Sequence, residues 1–442
     1  MVKPILDLNA FDANEAGRLG GELERSVQLR SKLFGAASVL FYAKPLELVR
    51  GRDCWLYDKD GIAYLDAYNN VPSVGHSHPK VVDAATQQLR QLNVHSRYLH
   101  SGVVEYAEQL LSHFAADLSN ITFTCTGSES NDLALRMAAA FTGGDGIIVT
   151  EAAYHGNTAL VTQVSPSSFK HGVVAPYVQV VPAPDARLAG PKGLAQYFAA
   201  QVSAAIEHLA ACGHRLSAFM ADSIFSSDGV FAEPAGFLRD AVQAVHAAGG
   251  LFIADEVQPG FGRTGEHMWG FGRHGVRPDV VTLGKPMGNG YPMGAVITRP
   301  EILDSFCART GYFNTFAATP VAAAVGQAVL EVIRQEDLMP NAARVGAYLK
   351  HKLLGLATRH PRIKAVRGVG LYVGIELESG EDAAAGSQLA NALVNGLRER
   401  HVLIGAAGRF GNVLKVRPPL TFSSAHVDVL LAALDDTLLQ TP

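Results

Sequence analysis

The sequence predicts an α/β protein, with a mainly parallel sheet covered by helices in a large region and a smaller α+β region after it. Two observations carry that prediction. Between residues about 80 and 300, short apolar runs rich in Val, Ile and Leu alternate with amphipathic segments of helical period. Runs that are apolar throughout suit strands buried on both faces, as a parallel sheet requires. After Pro320 the order changes to paired helices and then short strands, so a second unit is expected there.

Residues 1 to about 32 are polar and helix-like and form a plausible arm. Strands are expected at Leu46–Arg50, Cys54–Tyr57 and Ala63–Asp66, with Asp58-Lys-Asp-Gly61 as a hairpin turn. Helices fit 80–92, 103–117, 130–142, 193–211 and 235–248. Between them, strands fit Ile121–Cys125, Gly146–Thr150, Val178–Val181, Ser217–Ala221, Leu251–Ala254 and Val280–Leu283. Beyond Pro320, helices fit 320–335, 339–358, 385–400 and 425–438, and strands fit Ile363–Val366, Gly370–Leu377 and Val413–Val416. The expected division is an arm and strands packing with the small domain (1–75), a large domain (76–320) and a small C-terminal domain (321–442).

With 48% apolar and 18% charged residues among 442, a large core is available and disorder is not expected. The net charge of −4 and the lack of a long basic run make nucleic acid or an anionic membrane a poor partner. Cys54, Cys125, Cys212 and Cys307 lie far apart without metal-ligand spacing, so neither a zinc site nor a disulfide framework is expected. The N-terminus lacks an apolar signal core and no run of 18 apolar residues occurs, which points to a soluble cytoplasmic enzyme.

Three segments carry chemistry. In Cys125-Thr-Gly-Ser-Glu-Ser-Asn-Asp132 a strand ends, a glycine turns, and Ser128 or Ser130 can cap a helix whose N-terminus attracts an anion. An ordinary strand-to-helix turn is the better explanation of that motif when it stands alone. Asp255, closing the strand Leu251-Phe-Ile-Ala-Asp, needs a cationic or hydrogen-bonding partner, and a pyridinium nitrogen is one. A cap or a buried salt bridge is the plainer alternative. Lys285, directly after Val280-Val-Thr-Leu-Gly and before a loop rich in Gly and Pro, suits a buried amine that forms a Schiff base. A strand-end lysine pointing to solvent is the common fate.

Together these segments have the order and spacing of one family. From about residue 33 to 440 the chain resembles class III (omega-type) aminotransferases of pyridoxal-phosphate (PLP) fold type I. The resemblance implies PLP as cofactor, bound by the large domain. It implies that Lys285 carries the cofactor and then acts as the proton-transfer base, that Asp255 pairs with the ring nitrogen, and that Gln258 lies near the ring hydroxyl. Gly127 and Ser128 are implied to bind the cofactor phosphate, and Tyr154 to stack on the ring with His155 beside it. Thr315 matches the threonine that reaches the cofactor phosphate of the neighbouring subunit, so a homodimer with shared active sites is implied.

Three departures from ordinary aminotransferases bear on the reaction. Asp222-Ser223 stands where the family has a Glu-Pro pair; Asp222, placed among the cofactor-binding residues, is one methylene shorter. Lys415, in Leu414-Lys-Val-Arg-Pro-Pro419, stands where members that bind amino-acid carboxylates have Arg, and Arg417 lies beside the prolines. Lysine is a point charge that also suits phosphate, although Lys415 could equally face solvent. The stretch Tyr64 to Pro79, with Asn69-Asn70-Val71, is similar to the ethanolamine-phosphate phospho-lyases and 5-phosphohydroxy-lysine phospho-lyases, as are Ser96-Arg-Tyr-Leu-His100, Gly284 to Gly290 and Tyr312-Phe-Asn-Thr315.

The resemblance therefore favours a PLP-dependent lyase that eliminates phosphate from a small amino-phosphate such as O-phosphoethanolamine. Arg97, Lys415, Arg417 and Asn70 are the candidates for the substrate phosphate, with Arg97 equally able to be a helix-end salt-bridge partner. An omega-aminotransferase is the alternative reaction. A catalytically silent protein of the same fold is a third, which the intact Lys285, Asp255 and Tyr154 disfavour.

Overall fold

In the computed structural model, which describes residues 5–170, 173–378 and 383–441, short 3-10 turns lead into helix α1 (Gly21–Phe34). The first four residues of the expected arm lie outside the described part. Three antiparallel strands follow, β1 (Leu48–Arg52), β2 (Trp55–Asp58) and β3 (Ala63–Asp66). The first turn falls later than expected, because Asp53 takes a left-handed conformation (φ 54°) and lets β1 run to Arg52. The free edge of β3 is closed by Val402–Leu403, a parallel strand from near the other end of the chain.

The central sheet has seven strands: β4 (Asn120–Thr124), β5 (Gly146–Thr150), β6 (Val178–Val181), β7 (Leu216–Ala221), β8 (Leu251–Asp255), β9 (Val280–Leu283) and β10 (Gly294–Thr298). Their order is β4-β10-β9-β8-β7-β5-β6, and only β10 runs against its neighbours. Helices α2 (Pro79–Gln91), α3 (Ser101–Leu111), α4 (Gly127–Thr142), α5 (Ala159–Gln163), α6 (Leu194–Ala211), α7 (Arg239–Ala247) and α8 (Pro300–Cys307) connect and cover it.

Alternate side chains of each strand enter two separate cores. Ile147, Val149, Met220, Leu251 and Ile253 meet α4 and α8, while Ile148, Phe219 and Phe252 meet α6 and α7. Burial on both faces explains why the strands read as unbroken apolar runs. On the α6 side Phe198 sits edge-on to Phe225 at 5.6 Å and to Phe237 at 5.9 Å, contacts worth roughly 0.5–1.5 kcal/mol each beyond their area.

The chain continues through α9 (Pro320–Gln335), α10 (Leu338–Ala357), β11 (Ile363–Val369), β12 (Tyr372–Leu377), α11 (Ala383–Glu399), β13 (Val402–Leu403), β14 (Gly405–Ala407), β15 (Val413–Val416) and α12 (Ser424–Gln440). An antiparallel sheet of order β11-β12-β15-β14 results. Among the described residues no helix is long and apolar enough to cross a membrane.

The turn joining β11 to β12 is wedged between the central sheet's loops and α10. Gly370 has φ +54°, and a Cβ there would lie 2.3 Å from the Arg263 carbonyl oxygen. On the other side a Cβ on Gly346 of α10 would lie 2.0 Å from the Gly370 oxygen. Gly346→Ala should therefore lower stability by about 1–3 kcal/mol through overpacking. Gly355→Ala in the same helix, where a Cβ meets nothing within 4 Å, should be neutral or stabilising by up to about 1 kcal/mol. Denaturant unfolding checks the pair, and equal effects of the two substitutions would refute the wedge.

Candidate active site

Because β4, β5, β7, β8 and β9 run parallel, the segments that follow them emerge at one edge of the sheet, where ligands gather in open α/β folds. There they enclose a cavity of about 360 Å³. Its lining includes Gly127, Ser128, Tyr154, His155, Asp222, Asp255, Gln258 and Lys285. Every residue expected to bind cofactor is thus gathered in one place, apart from Thr315.

Asp255 ends β8 and is 4% exposed. One carboxylate oxygen accepts from Asn131 Nδ2 at 3.0 Å and is paired with His155 Nδ1 at 2.7 Å; the other accepts from the Val257 amide at 3.0 Å. Asn131 Nδ2 also donates to the His155 carbonyl at 2.7 Å, so one α4 side chain ties together the aspartate and the histidine loop. Sequence reasoning passed over Asn131. Its spacing from Gly127, one helical turn later on the same face, was the available signal.

The turn before α4 differs from expectation in its cap. Thr126, not Ser128 or Ser130, accepts the Glu129 amide at 3.1 Å. Ser130 is fully buried and donates to the Leu283 carbonyl at 2.9 Å, joining α4 to β9. Ser128 instead accepts the Asn157 amide at 3.2 Å. A Cβ on Gly284 would stand 3.0 Å from the Gly127 Cα, and one on Gly127 would stand 2.9 Å from Val257 Cγ2. Only glycines permit backbones this close.

Lys285 follows β9 and faces the cavity rather than open solvent. Burial, with Arg417 adding to it, pushes its ammonium down to about 8 against the pull of Asp255 and Asp222. Asp222 accepts the Ile224 and Ser226 amides, each at 3.0 Å, and the Ser226 hydroxyl. Burial still pushes its carboxyl up to about 6.

Two further cations come from the C-terminal sheet, and neither lines the cavity itself, although Arg417 bonds to Gln258, which does. Lys415 is 4% exposed, which excludes the solvent-facing alternative, and its partners across β12 and β14 are Gly374 and Gly405. Burial, Arg417 and Lys285 together hold its ammonium well below the ordinary lysine range. Arg417 donates to Asn70 Oδ1 at 2.8 Å and Gln258 Oε1 at 2.9 Å, and Asn70 Nδ2 donates to the same Gln258 oxygen at 2.7 Å. The guanidinium lies 4.4 Å from the Tyr68 ring. Gly405 makes room for that ring, since a Cβ there would sit 2.3 Å from it. Asp66 holds the loop, accepting the Tyr68 and Asn69 amides and pairing with His76 at 2.6 Å.

Arg97 and Thr315 lie elsewhere. Both are exposed, and the Arg97 guanidinium stacks 4.0 Å from the Phe313 ring rather than entering the cavity of its own chain. Around them Tyr98, Leu99 and Phe316 are 65%, 100% and 75% exposed. Asn314 anchors this surface to the cavity edge, donating to Glu129 at 3.0 Å, while Glu129 also accepts the Cys125 amide at 2.7 Å. No cluster able to hold a metal occurs among the described residues.

The sequence profile of the class-III aminotransferases matches residues 41–438, and the chain belongs to that family. It is 39% identical to the alanine–glyoxylate aminotransferase 2-like protein of Drosophila melanogaster over 93% of this chain and 86% of that one. It is 36% identical to the ethanolamine-phosphate phospho-lyase homolog 1 of Caenorhabditis elegans, over 94% and 93%. A phospholyase from Arthrobacter, solved in complex with phosphoethanolamine, superimposes with a TM-score of 0.89 at 45% identity, covering 94% of this chain and all of that one. The fold is PLP fold type I and the cofactor is pyridoxal phosphate. The cavity fits it: a buried carboxylate, a lysine of lowered basicity and a glycine-walled helix start converge there.

The lysine has a consequence for the apoprotein. A base whose folded-state basicity is depressed penalises the fold fully while both states are protonated, and the penalty disappears as pH rises through the window between the two values. For Lys285 that window runs from about 8 to about 10. Apoprotein carrying Lys285→Met should be more stable than wild type by about 1–3 kcal/mol at pH 7, with the gap closing as pH approaches 10. A gap that does not change with pH would contradict the burial of this amine.

Proposed function

We propose that the protein is a PLP-dependent carbon–oxygen lyase that eliminates phosphate from a small amino-phosphate, O-phosphoethanolamine first among them, giving acetaldehyde, ammonia and phosphate. The observation that carries this reading is the pair Lys415 and Arg417. Both are withdrawn from water, and neither has a carboxylate partner within ion-pair distance among the described residues. A buried guanidinium without a counter-charge is costly, a buried amine beside it is driven toward its neutral form, and a phosphate monoester, with nearly two negative charges, would satisfy both. The likeness to a phospholyase solved with phosphoethanolamine supports the same substrate class.

In this reading Lys285 holds the cofactor, yields to the substrate amine and removes the proton from the carbon bearing nitrogen. The bound cofactor supplies an electron sink for the charge left on that carbon. Asp255, fixed by Asn131 and His155, would pair with the ring nitrogen, and Gln258, whose oxygen is already engaged by Arg417 and Asn70, would have its amide N–H left for the ring hydroxyl. Gly127 and Ser128 would hold the cofactor phosphate, Tyr154 would cover the ring with His155 beside it, and Asp222 would lie on the substrate side. Arg417, oriented by Asn70, and Lys415 take the substrate phosphate. The likeness to aminotransferases keeps amino transfer as the competing reaction.

Supplying O-phosphoethanolamine without any keto acid separates the two. Equal, multiple-turnover yields of phosphate, ammonia and aldehyde are expected. Arrest after one turnover, with restart only on adding a keto acid, would make the protein an aminotransferase.

We also propose a homodimer with shared sites, in which Thr315 serves the neighbouring subunit and the exposed Leu99 and Phe316 are covered. Thr315→Ala should cost about 1–3 kcal/mol of transition-state binding. Adding excess inactive Lys285→Ala protein should then raise the activity per Thr315→Ala chain, because hybrid dimers contain one intact site. Full activity from a strictly monomeric protein would end the proposal.

A further inference from the structure

We propose that Lys415 takes up a proton when the phosphate end of the substrate binds and delivers it to the departing phosphate oxygen. The inference rests on the lyase reading above and adds the residue that supplies the proton.

Lys415 reaches no hydrogen-bond acceptor among the described residues, and glycines flank it on both neighbouring strands. The charges around it are mostly of its own sign. Arg417 lies two residues on along the same chain, Lys285 is near enough to repel it, and the nearby carboxylate is Asp222, already engaged by two amides and the Ser226 hydroxyl. The Tyr68 and Tyr372 phenols lie toward Arg417. A charged Lys415 beside the Arg417 guanidinium and Lys285 is opposed by desolvation and by repulsion, which favours the neutral amine before substrate arrives. An arriving phosphate dianion reverses both terms, because an opposite charge at contact favours the ammonium.

The chemistry then balances. Lys285 takes the proton from carbon, the carbon–oxygen bond breaks, and its electron pair goes to the oxygen. From a dianionic ester that oxygen would leave on trianionic phosphate, a poor leaving group at neutral pH. A proton from the Lys415 ammonium makes it hydrogen phosphate and returns the lysine to its neutral form. No further reactant is needed. Arginine stays protonated and cannot cycle in this way, which gives a reason for lysine at a position where carboxylate-binding relatives are expected to have arginine.

The test uses holoenzyme and 2-aminoethylphosphonate, whose carbon–phosphorus bond cannot undergo this elimination. Binding is measured calorimetrically at pH 8.5 in buffers of different ionisation enthalpy, to count protons. Wild type should take up close to one proton more than Lys415→Arg or Lys415→Met. With O-phosphoethanolamine, Lys415→Arg should keep KM within about tenfold but lose about 10²–10⁴-fold in kcat, the range of general acid catalysis. Lys415→Met should raise KM as well, and cofactor absorbance reports whether each variant is folded and loaded. Equal proton uptake by wild type and Lys415→Arg, or an unchanged kcat in Lys415→Arg, overturns the proton role while leaving phosphate binding intact. Failure of the phosphonate to bind wild type overturns the lyase reading together with it.

Discussion

Lys285, Lys415 and Arg417 are three cationic side chains drawn away from water at one edge of the central sheet, with Asp255 and Asp222 as the acids among them. Bringing charges out of water costs several kcal/mol apiece unless they are paired or change protonation state. Each here answers that constraint differently. Asp255 gathers three hydrogen-bonding partners, Arg417 takes two amide oxygens and an aromatic face, and the two lysines are pushed toward their neutral forms. Much of the surrounding structure can be understood as what holds this set together.

Two parts of the chain meet to do so. The parallel strands bring Asp255, Lys285, Asp222 and the α4 start to one edge, while the end of β15 in the other sheet sets Arg417 against Gln258 and Lys415 two residues before it. The seam between the sheets is made by one buried side chain that reaches backbone carbonyls. Arg263, 2% exposed, donates to the Leu371 and Pro418 carbonyls and so fixes the residue after Arg417 to the loop that follows Asp255. Burial lowers its basicity to about 9, the cost of a guanidinium with only carbonyl partners. Gly370, Gly346 and Gly405 allow the close approaches on which this geometry depends.

Much of the fold was legible because burial leaves a mark on composition. β5, β6, β7, β8 and β9 are apolar runs bounded by turns, and the sequence placed each within about a residue of its end. β10 was missed because Gly294 closes the Gly- and Pro-rich loop after Lys285, so the strand reads as that loop's continuation. β13 and β14 span two and three residues, too short for any periodic signal. Helix α7 begins at Arg239 rather than near residue 235, where Pro234 and Gly236 hold the chain in a turn. In the site, Lys285 and Asp255 stood out because a charge at the end of an apolar strand demands a partner. Asn131 did not, since a polar residue in the first turns of a helix is ordinary until the fold sets Asp255 against it. For Arg97 and Thr315 the limit is different: both lie on the exposed surface, away from the cavity of their own chain.

Charge balance is also what separates the two reactions this family can run. Amino transfer and phosphate elimination share the removal of a proton by the lysine, so the lysine and its aspartate carry no information about the outcome. The choice falls to the groups that hold the rest of the substrate. A carboxylate brings one charge and a flat fork that arginine matches bidentately, whereas a phosphate monoester brings nearly two charges spread over three oxygens. At the end of β15 the single Arg417 is already committed to Asn70 and Gln258 through Nη1, and the position two residues before it holds a lysine without a fixed partner. Under the proposed reading such a site suits a phosphate better than a carboxylate fork. The carbon–oxygen bond to that phosphate must also lie parallel to the π system of the cofactor ring for elimination to compete. In the proposed reaction, a phosphate held from β15, on a sheet separate from the one that carries Lys285, would have its position fixed independently of the amine end, and that is the geometric condition elimination requires.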